Sequence, residues 1–283
     1  SSTAAELNLL DGLDRGSIIY GNASSATTVL GQGSADQVLT SDGTDISWED
    51  ASGGATDLDG LSDCKVGGTD FTRSMILGHE TTGTLDAATD NTAVGHVALD
   101  AITSGDANTA IGTYALTGLT EGSENTMVGA GMCQNLTTAD KNVGVGGHSN
   151  ITSGAGNVTI GYYSMQTGAT TGDNNVAVGY YAGAGLTDGD ENTMIGATAG
   201  QHLQAGDGNT FIGNGAGSVG GLEDYAYNTA VGYEAMYNGA KTSATTNNVA
   251  VGRAALYANT TAANNTAVGA YSLDANTTGT NNV

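Results

Sequence analysis

The sequence predicts an all-β protein whose main part is a β-solenoid, a parallel β-roll or β-helix of about eleven 17-residue coils. Three observations lead to this class. A five-residue pattern recurs at nearly constant spacing, the chain has 46 glycines and no proline, and only 5% of its residues are aromatic. Two phenylalanines and one tryptophan cannot fill a wide globular core, whereas small apolar residues spread along the sequence suit a thin core drawn out along an axis.

The repeat has the form N-[T/V]-x-[V/I]-G, and we number its asparagine as position zero of each coil. The asparagines that begin a copy are Asn91, Asn108, Asn125, Asn142, Asn157, Asn175, Asn192, Asn209, Asn228, Asn248, Asn265 and Asn282. Successive copies are 15 to 20 residues apart, most often 17, and a degenerate copy begins at Ser74. In the complete copies position three is Val or Ile, position four is Gly, position seven is usually small, and position eight is often a larger apolar residue.

These columns predict that each coil is a short strand, a glycine corner, a second short segment and a variable turn. Because side chains alternate along a strand, positions one and three share a face, and we expect this β-branched pair to point into the coil. Glycine at position four suits a sharp corner with positive φ. The asparagines of neighbouring coils are expected to bond along the axis, as stacked amides do. Each coil offers few apolar side chains, so we expect three solenoids to pack about one axis as a homotrimeric fibre.

The rest of the chain divides into shorter segments. Residues 1–12 are predicted to hold a short helical segment, ELNLLDG, which begins with a capping box of Thr3 and Glu6. Residues 13–50 are predicted to form a small β module, residues 51–57 a linker, residues 58–90 an irregular entry to the shaft, and residues 91–283 the solenoid. The apolar cluster expected in the β module consists of Ile18, Ile19, Val29, Leu30, Val38, Leu39, Ile46 and Trp48. We expect the chain to be a segment of a longer protein.

The formal net charge is −23, with only six basic residues scattered along the chain. Isolated basic residues cannot neutralise a phosphate backbone, so we expect no nucleic-acid partner. The same charge opposes contact with an anionic membrane surface, and no apolar run approaches the roughly 20 residues of a membrane span. The composition therefore predicts neither nucleic-acid binding nor membrane insertion.

The repeat resembles the head repeats of trimeric autotransporter adhesins, whose N-S-x-[A/V]-[I/L]-G motifs build a trimeric left-handed parallel β-roll. It is even more similar to repeats of bacteriophage tail-fibre proteins, and AAELNLLDG at residues 4–12 resembles the ELNxLDG segments of such fibres. The strand-rich stretch from GSIIYGN to DISWED resembles a second element of phage fibres.

The resemblance to phage fibres implies a structural fibre shaft that acts in host-surface adhesion, in the virion and outside the cell. It implies that the chain associates with itself as a homotrimer, with other virion or fibre proteins at its ends, and with a host-surface glycan or receptor. The alternatives are the head of a bacterial trimeric surface adhesin, located on the bacterial cell surface, and a tailspike polysaccharide depolymerase.

No catalytic, cofactor-binding or metal-binding residue is predicted. The four histidines, His79, His96, His148 and His202, share no column of the repeat and have no recurring Ser or Asp partner, so they do not indicate a hydrolytic triad. Glu223 and Asp224 lie in one of the longest insertions and are interpreted as solvated loop acids rather than the paired carboxylates of a glycoside hydrolase. We therefore expect a protein that is not an enzyme.

Acidic turns, tyrosines and a cysteine are three further features that each have a structural interpretation. Acidic turns such as TDGDEN at residues 187–192 offer oxygen ligands for Ca²⁺, but Asp and Asn are also ordinary turn residues. Tyrosines recur at positions five and six, which places Tyr162 beside Tyr180 and Tyr163 beside Tyr181; we expect a packing ladder, with stacking on sugars as the alternative. Cys133 is in the apolar column at position eight and is expected to be a buried, reduced thiol.

Overall fold

The computed structural model describes residues 13–35, 37–50, 63–79, 82–218, 225–237 and 245–283. Contacts divide the chain into two units, Ser1–Gly60 and Leu61–Val283. The described residues contain strands and turns and no helix. The predicted helical segment at 1–12 and the predicted linker at 51–57 lie outside the described residues.

The first unit contains two antiparallel strand pairs. Strand β1 (Ile18–Gly21) pairs with β2 (Thr27–Leu30), and β3 (Gln37–Ser41) pairs with β4 (Ile46–Asp50). Each pair is joined by a turn in which a polar side chain accepts two backbone N–H bonds: Asn22 accepts from Ser24 and Ala26, and Asp42 accepts from Thr44 and Asp45.

The apolar side chains described in residues 13–49 of this unit do not form a buried core. Of the predicted cluster, Ile19, Val38 and Leu39 are exposed and the other five residues are half-buried. Trp48 makes the most specific contact, because its indole Nε1 donates a hydrogen bond of 2.6 Å to the carbonyl of Gly31. The single packed β module predicted for residues 13–50 therefore stays a prediction, although its strands are present.

The second unit is a parallel β-solenoid. It begins with β5 (Cys64–Val66), β6 (Phe71–Thr72), β7 (Met75–Leu77) and β8 (Ala88–Thr89). The strands that follow are β9 (Thr92–Val94), β10 (Thr109–Ile111), β11 (Thr126–Ala130), β12 (Val143–Gly147), β13 (Val158–Tyr162), β14 (Val176–Val178), β15 (Thr193–Ile195), β16 (Thr210–Ile212), β17 (Thr229–Val231), β18 (Val249–Val251) and β19 (Thr266–Val268). Strands β7 and β9 to β19 pair in parallel in chain order, with β5 antiparallel to β7 at one edge, and β6 pairs with β8 in a separate small sheet.

These twelve parallel strands make eleven turns, which confirms the predicted solenoid of about eleven 17-residue coils. Pairing is in register, so that equal positions of the repeat face each other: Thr109 pairs with Thr126, and Ile111 with Val128. All of these strand pairs form within the chain. The parallel sheet already includes β7, which lies one coil before the first complete repeat. Residues 58–90, which contain β7, were predicted to be an irregular entry to the shaft.

The position-zero asparagines form a continuous hydrogen-bonded ladder, as predicted. Asn192 is representative: its backbone N–H donates to the Oδ1 of Asn175 at 2.9 Å, and its Nδ2 donates to the same Oδ1 at 3.0 Å and to the carbonyl of Gly206 at 2.8 Å. The same backbone-to-Oδ1 bond links every successive pair from Asn91 to Asn282. The first eleven of these asparagines are completely buried, so the ladder lies inside the coil and satisfies its own polar groups.

The predicted facing of the strands is wrong by one residue. Position two, not positions one and three, points into the coil: Ala93, Ala110 and Ala230 are fully buried, whereas Ile111 at position three is 40% exposed. The physical reason is the asparagine ladder, because a side chain two residues from a buried position zero must face the same way. A shift of one residue moves every strand side chain to the opposite face, so the β-branched pairs point outward.

The interior is filled by positions two, seven, eight and eleven. At position eight Leu99, Leu116, Cys133, Met165, Met236 and Leu256 are fully buried, and at position eleven so are Ile102, Leu119 and Leu136. Where position eight is glycine, a large position-two side chain of the same or the next coil takes its place: a Cβ on Gly217 would lie 2.5 Å from the ring of Phe211, and Cβ atoms on Gly200 and Gly183 would each lie 2.6 Å from the end of the Met194 side chain. Sizes at positions two and eight therefore compensate for each other and keep the narrow core filled.

The glycine corner at position four is confirmed. Gly112 has a φ of +131°, and a Cβ there would lie 2.5 Å from the carbonyl oxygen of Gly129 in the next coil. A side chain at this position would strain the backbone and push neighbouring coils apart.

Candidate functional site

The outward strand face carries a row of β-branched side chains that we call the outer ladder. It consists of the position-three residues Val94, Ile111, Val128, Val145, Ile160, Val178, Ile195, Ile212, Val231, Val251 and Val268. Neighbouring strands cover the flanks of each residue, yet Val145 is still 42% exposed and the end residue Val268 is 69% exposed. The described residues place nothing over this row, and a contiguous row of exposed apolar side chains is of the kind that marks an interaction site.

A second surface lies at the corner after the glycine, at positions five and six. The ring centroids of Tyr163 and Tyr181 are 5.1 Å apart, and Tyr162 and Tyr180 each pack on the tyrosine that follows them in sequence, at 4.1 Å and 4.6 Å. His148 lies 5.5 Å from both Tyr162 and Tyr163. The predicted contact of Tyr163 with Tyr181 is thus present, and the cluster also includes a histidine that the sequence analysis had not grouped with it.

Two tyrosines of this cluster have a raised pKa. Tyr162 donates a hydrogen bond to Tyr163, and this bond raises the pKa of Tyr162 above its ordinary value. Partial burial, followed by the neighbouring phenol of Tyr180, raises the pKa of Tyr181. Tyr162 and Tyr180 are nevertheless exposed, so the cluster presents aromatic rings to solvent.

Another aromatic group lies near the C-terminal end of the solenoid. The guanidinium of Arg253 lies 5.9 Å from the ring centroid of Tyr233 and 5.4 Å from that of Tyr271, within the range of cation–π attraction. A cavity of about 230 Å³ beside it is lined by Arg253, Tyr257 and Tyr271 together with the acidic Glu234 and Asp274. This group is charged, unlike the tyrosine cluster around Tyr163.

Two cavities on the solenoid are lined by uncharged polar side chains and histidine. The larger, of about 310 Å³, is bordered by Thr167, Tyr181, Thr187, Gln201, His202 and Gln204. The smaller, of about 170 Å³, is bordered by Gln134, Asn135, His148, Asn150 and Gln166. The lining residues of the larger cavity occupy position six and positions nine to twelve of their coils, so none belongs to the outer ladder.

These cavities were not predicted from the sequence, although one signal was present in it. In the coil that begins at Asn175, positions nine and ten are Ala184 and Gly185, whereas the coils on either side have Gln166 and Thr167 or Gln201 and His202. Small residues between two rows of long polar ones leave a depression. The depression depends on alignment across three coils, which the repeat pattern of a single coil does not show.

The four histidines lie in different environments and do not form a common site. Nε2 of His79 is 2.7 Å from the carbonyl oxygen of Ala98, His96 packs edge-on against Tyr114 at 5.8 Å, His148 joins the tyrosine cluster, and His202 borders the larger cavity. Glu223 and Asp224 lie outside the described residues.

The acidic turns have a structural role. Oδ1 of Asp190 accepts the backbone N–H of Asp173 at 2.7 Å, and Oδ1 of Asp207 accepts that of Asp190 at 2.9 Å, so these carboxylates link successive coils. Asp106 and Asp140 bind earlier coils in the same way. Within the part of the chain that the structure describes, no three His, Cys, Asp or Glu side chains are grouped so as to hold a metal ion.

The two cysteines of the chain are both buried. Cys133 is buried, as expected, and burial raises the pKa of its thiol to about 11. Cys64 is also buried, in β5. In the described ranges we find no helical segment long and apolar enough to span a bilayer.

Comparisons with known proteins found no relative of this chain. No protein-family model, no curated protein and no solved structure matches the chain. The function must therefore be argued from the geometry of its surfaces.

Proposed function

We propose that the chain is a segment of the shaft of a phage-type tail fibre, in which three copies pack their outer ladders together about a common axis. Its role in this proposal is mechanical and adhesive and involves no catalysis. The shaft stands outside the cell as part of the virion, meets other virion or fibre proteins at its ends, and contributes to attachment to the host surface.

The outer ladder is the observation that carries this proposal. In an isolated solenoid eleven β-branched side chains would face water in one unbroken row, although burial of apolar surface is the main favourable contribution to association. A second and third copy would cover the row. The resemblance of the repeat to trimeric β-rolls favours three copies over two.

The net charge of −23 is consistent with this role. Like charges on the outer surfaces of long particles oppose side-by-side clumping, while an uncharged strip between the copies is unaffected. All 29 acidic residues lie outside the outer ladder, whose members are Val and Ile only.

The proposal is tested by placing charges on the outer ladder. We expect the triple variant Ile111→Asp, Ile160→Asp, Ile195→Asp to elute as a single chain of about the 27.9 kDa formula mass, because three carboxylates would be buried without partners in the trimer. The measurement is molar mass by light scattering after size exclusion, with circular dichroism to show that the strands persist.

A matched control carries the same three charges on exposed turn residues, as Thr138→Asp, Ser153→Asp, Ala169→Asp. It should keep the mass of the unmodified protein. If the outer-ladder variant also kept that mass, the outer ladder would not be the contact surface and the fibre proposal would lose its main support.

A further inference from the structure

The two polar cavities and the tyrosine cluster adjoin one another. Gln166 borders the smaller cavity and the next residue, Thr167, borders the larger. His148 of the smaller cavity packs against Tyr163, which packs against Tyr181 of the larger. We call this continuous surface, from Gln134 to Gln204, the amide–tyrosine strip.

The strip offers unused hydrogen-bonding groups. Among the described residues the side chains of Gln201, His202 and Gln204 make no hydrogen bond, and His202 and Gln204 are exposed. A primary amide has two N–H donors and a carbonyl acceptor, so these side chains can bind a ligand hydroxyl as donor and as acceptor. Amide groups of this kind border both cavities.

The strip lacks the groups that a charged ligand requires. No Asp, Glu, Lys or Arg lines either cavity, and the chain as a whole carries a net charge of −23. A phosphorylated, sulfated or carboxylated ligand would meet a repulsive field and no basic side chain. A cationic ligand would find no carboxylate in the lining.

The rings supply the apolar part of the surface. Tyr162 and Tyr180 are exposed, and Tyr163 and Tyr181 are half-buried, so their ring faces and edges border the polar groups. Aromatic rings that combine an apolar face with a polar hydroxyl suit a ligand that has both polar groups and apolar surface. A sugar, with C–H bonds on one face and hydroxyls around its rim, has this character.

We propose that the amide–tyrosine strip binds a neutral oligosaccharide, with the tyrosines packing on sugar rings and Gln201, His202 and Gln204 bonding to their hydroxyls. No residue that lines either cavity belongs to the outer ladder, so the packing of copies through that ladder uses other side chains. This inference rests on the adhesive part of the proposed function and gives it a ligand class and a place on the shaft.

The experiment is a binding screen of the full 283-residue chain on an array of neutral, sialylated and sulfated oligosaccharides, followed by calorimetry with the strongest neutral binder. We expect neutral glycans alone to bind. Gln201→Ala and Tyr181→Ala should each weaken binding about tenfold, the loss expected for one hydrogen bond or one ring contact.

Tyr114→Ala is the matched control, because Tyr114 occupies position six like Tyr181 but lies outside the strip. The Tyr114→Ala variant should bind the neutral glycan with the affinity of the unmodified chain. A folded chain that binds no neutral glycan, binds anionic ones instead, or binds equally well in all three variants would overturn the inference.

The molar mass of the same sample separates this inference from the fibre proposal. A trimer that binds no glycan would contradict only the proposal that the amide–tyrosine strip binds an oligosaccharide. A monomer that binds glycan would contradict only the proposal of a trimeric fibre. The bound oligosaccharide should be recovered at its original length, and shortened chains would contradict the non-catalytic role.

Discussion

At the scale of the residue, the interior of the coil depends on pairs of side chains whose sizes compensate. Ala250 occurs with Leu256, whereas Phe211 occurs with Gly217. Leu256 at position eight has a φ of +49° and Gly217 has a φ of +59°, so both sizes share the same left-handed corner. The cost of that backbone for leucine is outweighed by the apolar surface it buries.

We predict that Gly217→Ala lowers the free energy of unfolding by about 2–4 kcal/mol, through overpacking against Phe211 and through the left-handed backbone. The double variant Phe211→Ala, Gly217→Leu should recover most of the loss, because it installs the pair found at Ala250 and Leu256. Urea unfolding followed by circular dichroism measures both.

The control for this prediction is Gly67→Ala. Gly67 has a similar φ of +63°, but a Cβ there would meet no atom within 4 Å. It should cost about 1 kcal/mol from backbone strain alone. Equal losses for Gly67→Ala and Gly217→Ala would show that the packing of Phe211 does not limit position eight.

At the scale of the element, the strand and its asparagine form the repeating unit of the solenoid. Asn175, for example, accepts two bonds from Asn192 in the next coil and donates one to the carbonyl of Gly189, and such bonds fix the register between coils. Because these groups have no access to water, their bonds are costly to remove.

We predict that Asn175→Ala lowers the free energy of unfolding by about 3 kcal/mol or more, since it leaves the backbone N–H of Asn192 and the carbonyl of Gly189 buried without their partner. Asn214→Ala, at an exposed corner position, should change it by less than about 0.5 kcal/mol. Thermal and urea unfolding of the two variants provide the comparison. Equal stabilities would mean that the ladder does not hold the coils in register.

For the repeating strand, some predictions from the sequence were confirmed and one was wrong. The period, the glycine corner and the asparagine ladder follow from columns that recur in every complete copy. The facing of the strand could not be read from β-branching alone, because Val and Ile are favoured on any pleated surface, inside or outside. The constant asparagine was the better guide, since a side chain that must pair with its equivalents in every coil belongs inside.

The cavities were beyond prediction for a different reason. Ala184 and Gly185 look like ordinary small residues within their own coil, and they shape a site only because Gln166 and Gln201 flank them in space. The contact of Tyr163 with Tyr181, by contrast, followed from equal positions in neighbouring coils, whereas Tyr162 and Tyr180 each pack on the tyrosine next to them in sequence.

At the scale of the whole molecule, the outer ladder is a row of apolar side chains on the outward strand face of the solenoid. Seven of its eleven side chains are exposed, among them Ile111 at 40% and Ile160 at 40%. A thin core gives each coil limited stability of its own, and association through this face would add to it.

The most direct test of this account is the molar mass of the unmodified chain in solution, measured by light scattering coupled to size exclusion over a range of concentrations. If three copies pack through their outer ladders, the measurement gives a single species of three times the 27.9 kDa chain mass, which persists on dilution. A species of one chain mass at every concentration, with the strand signal intact, would contradict this account.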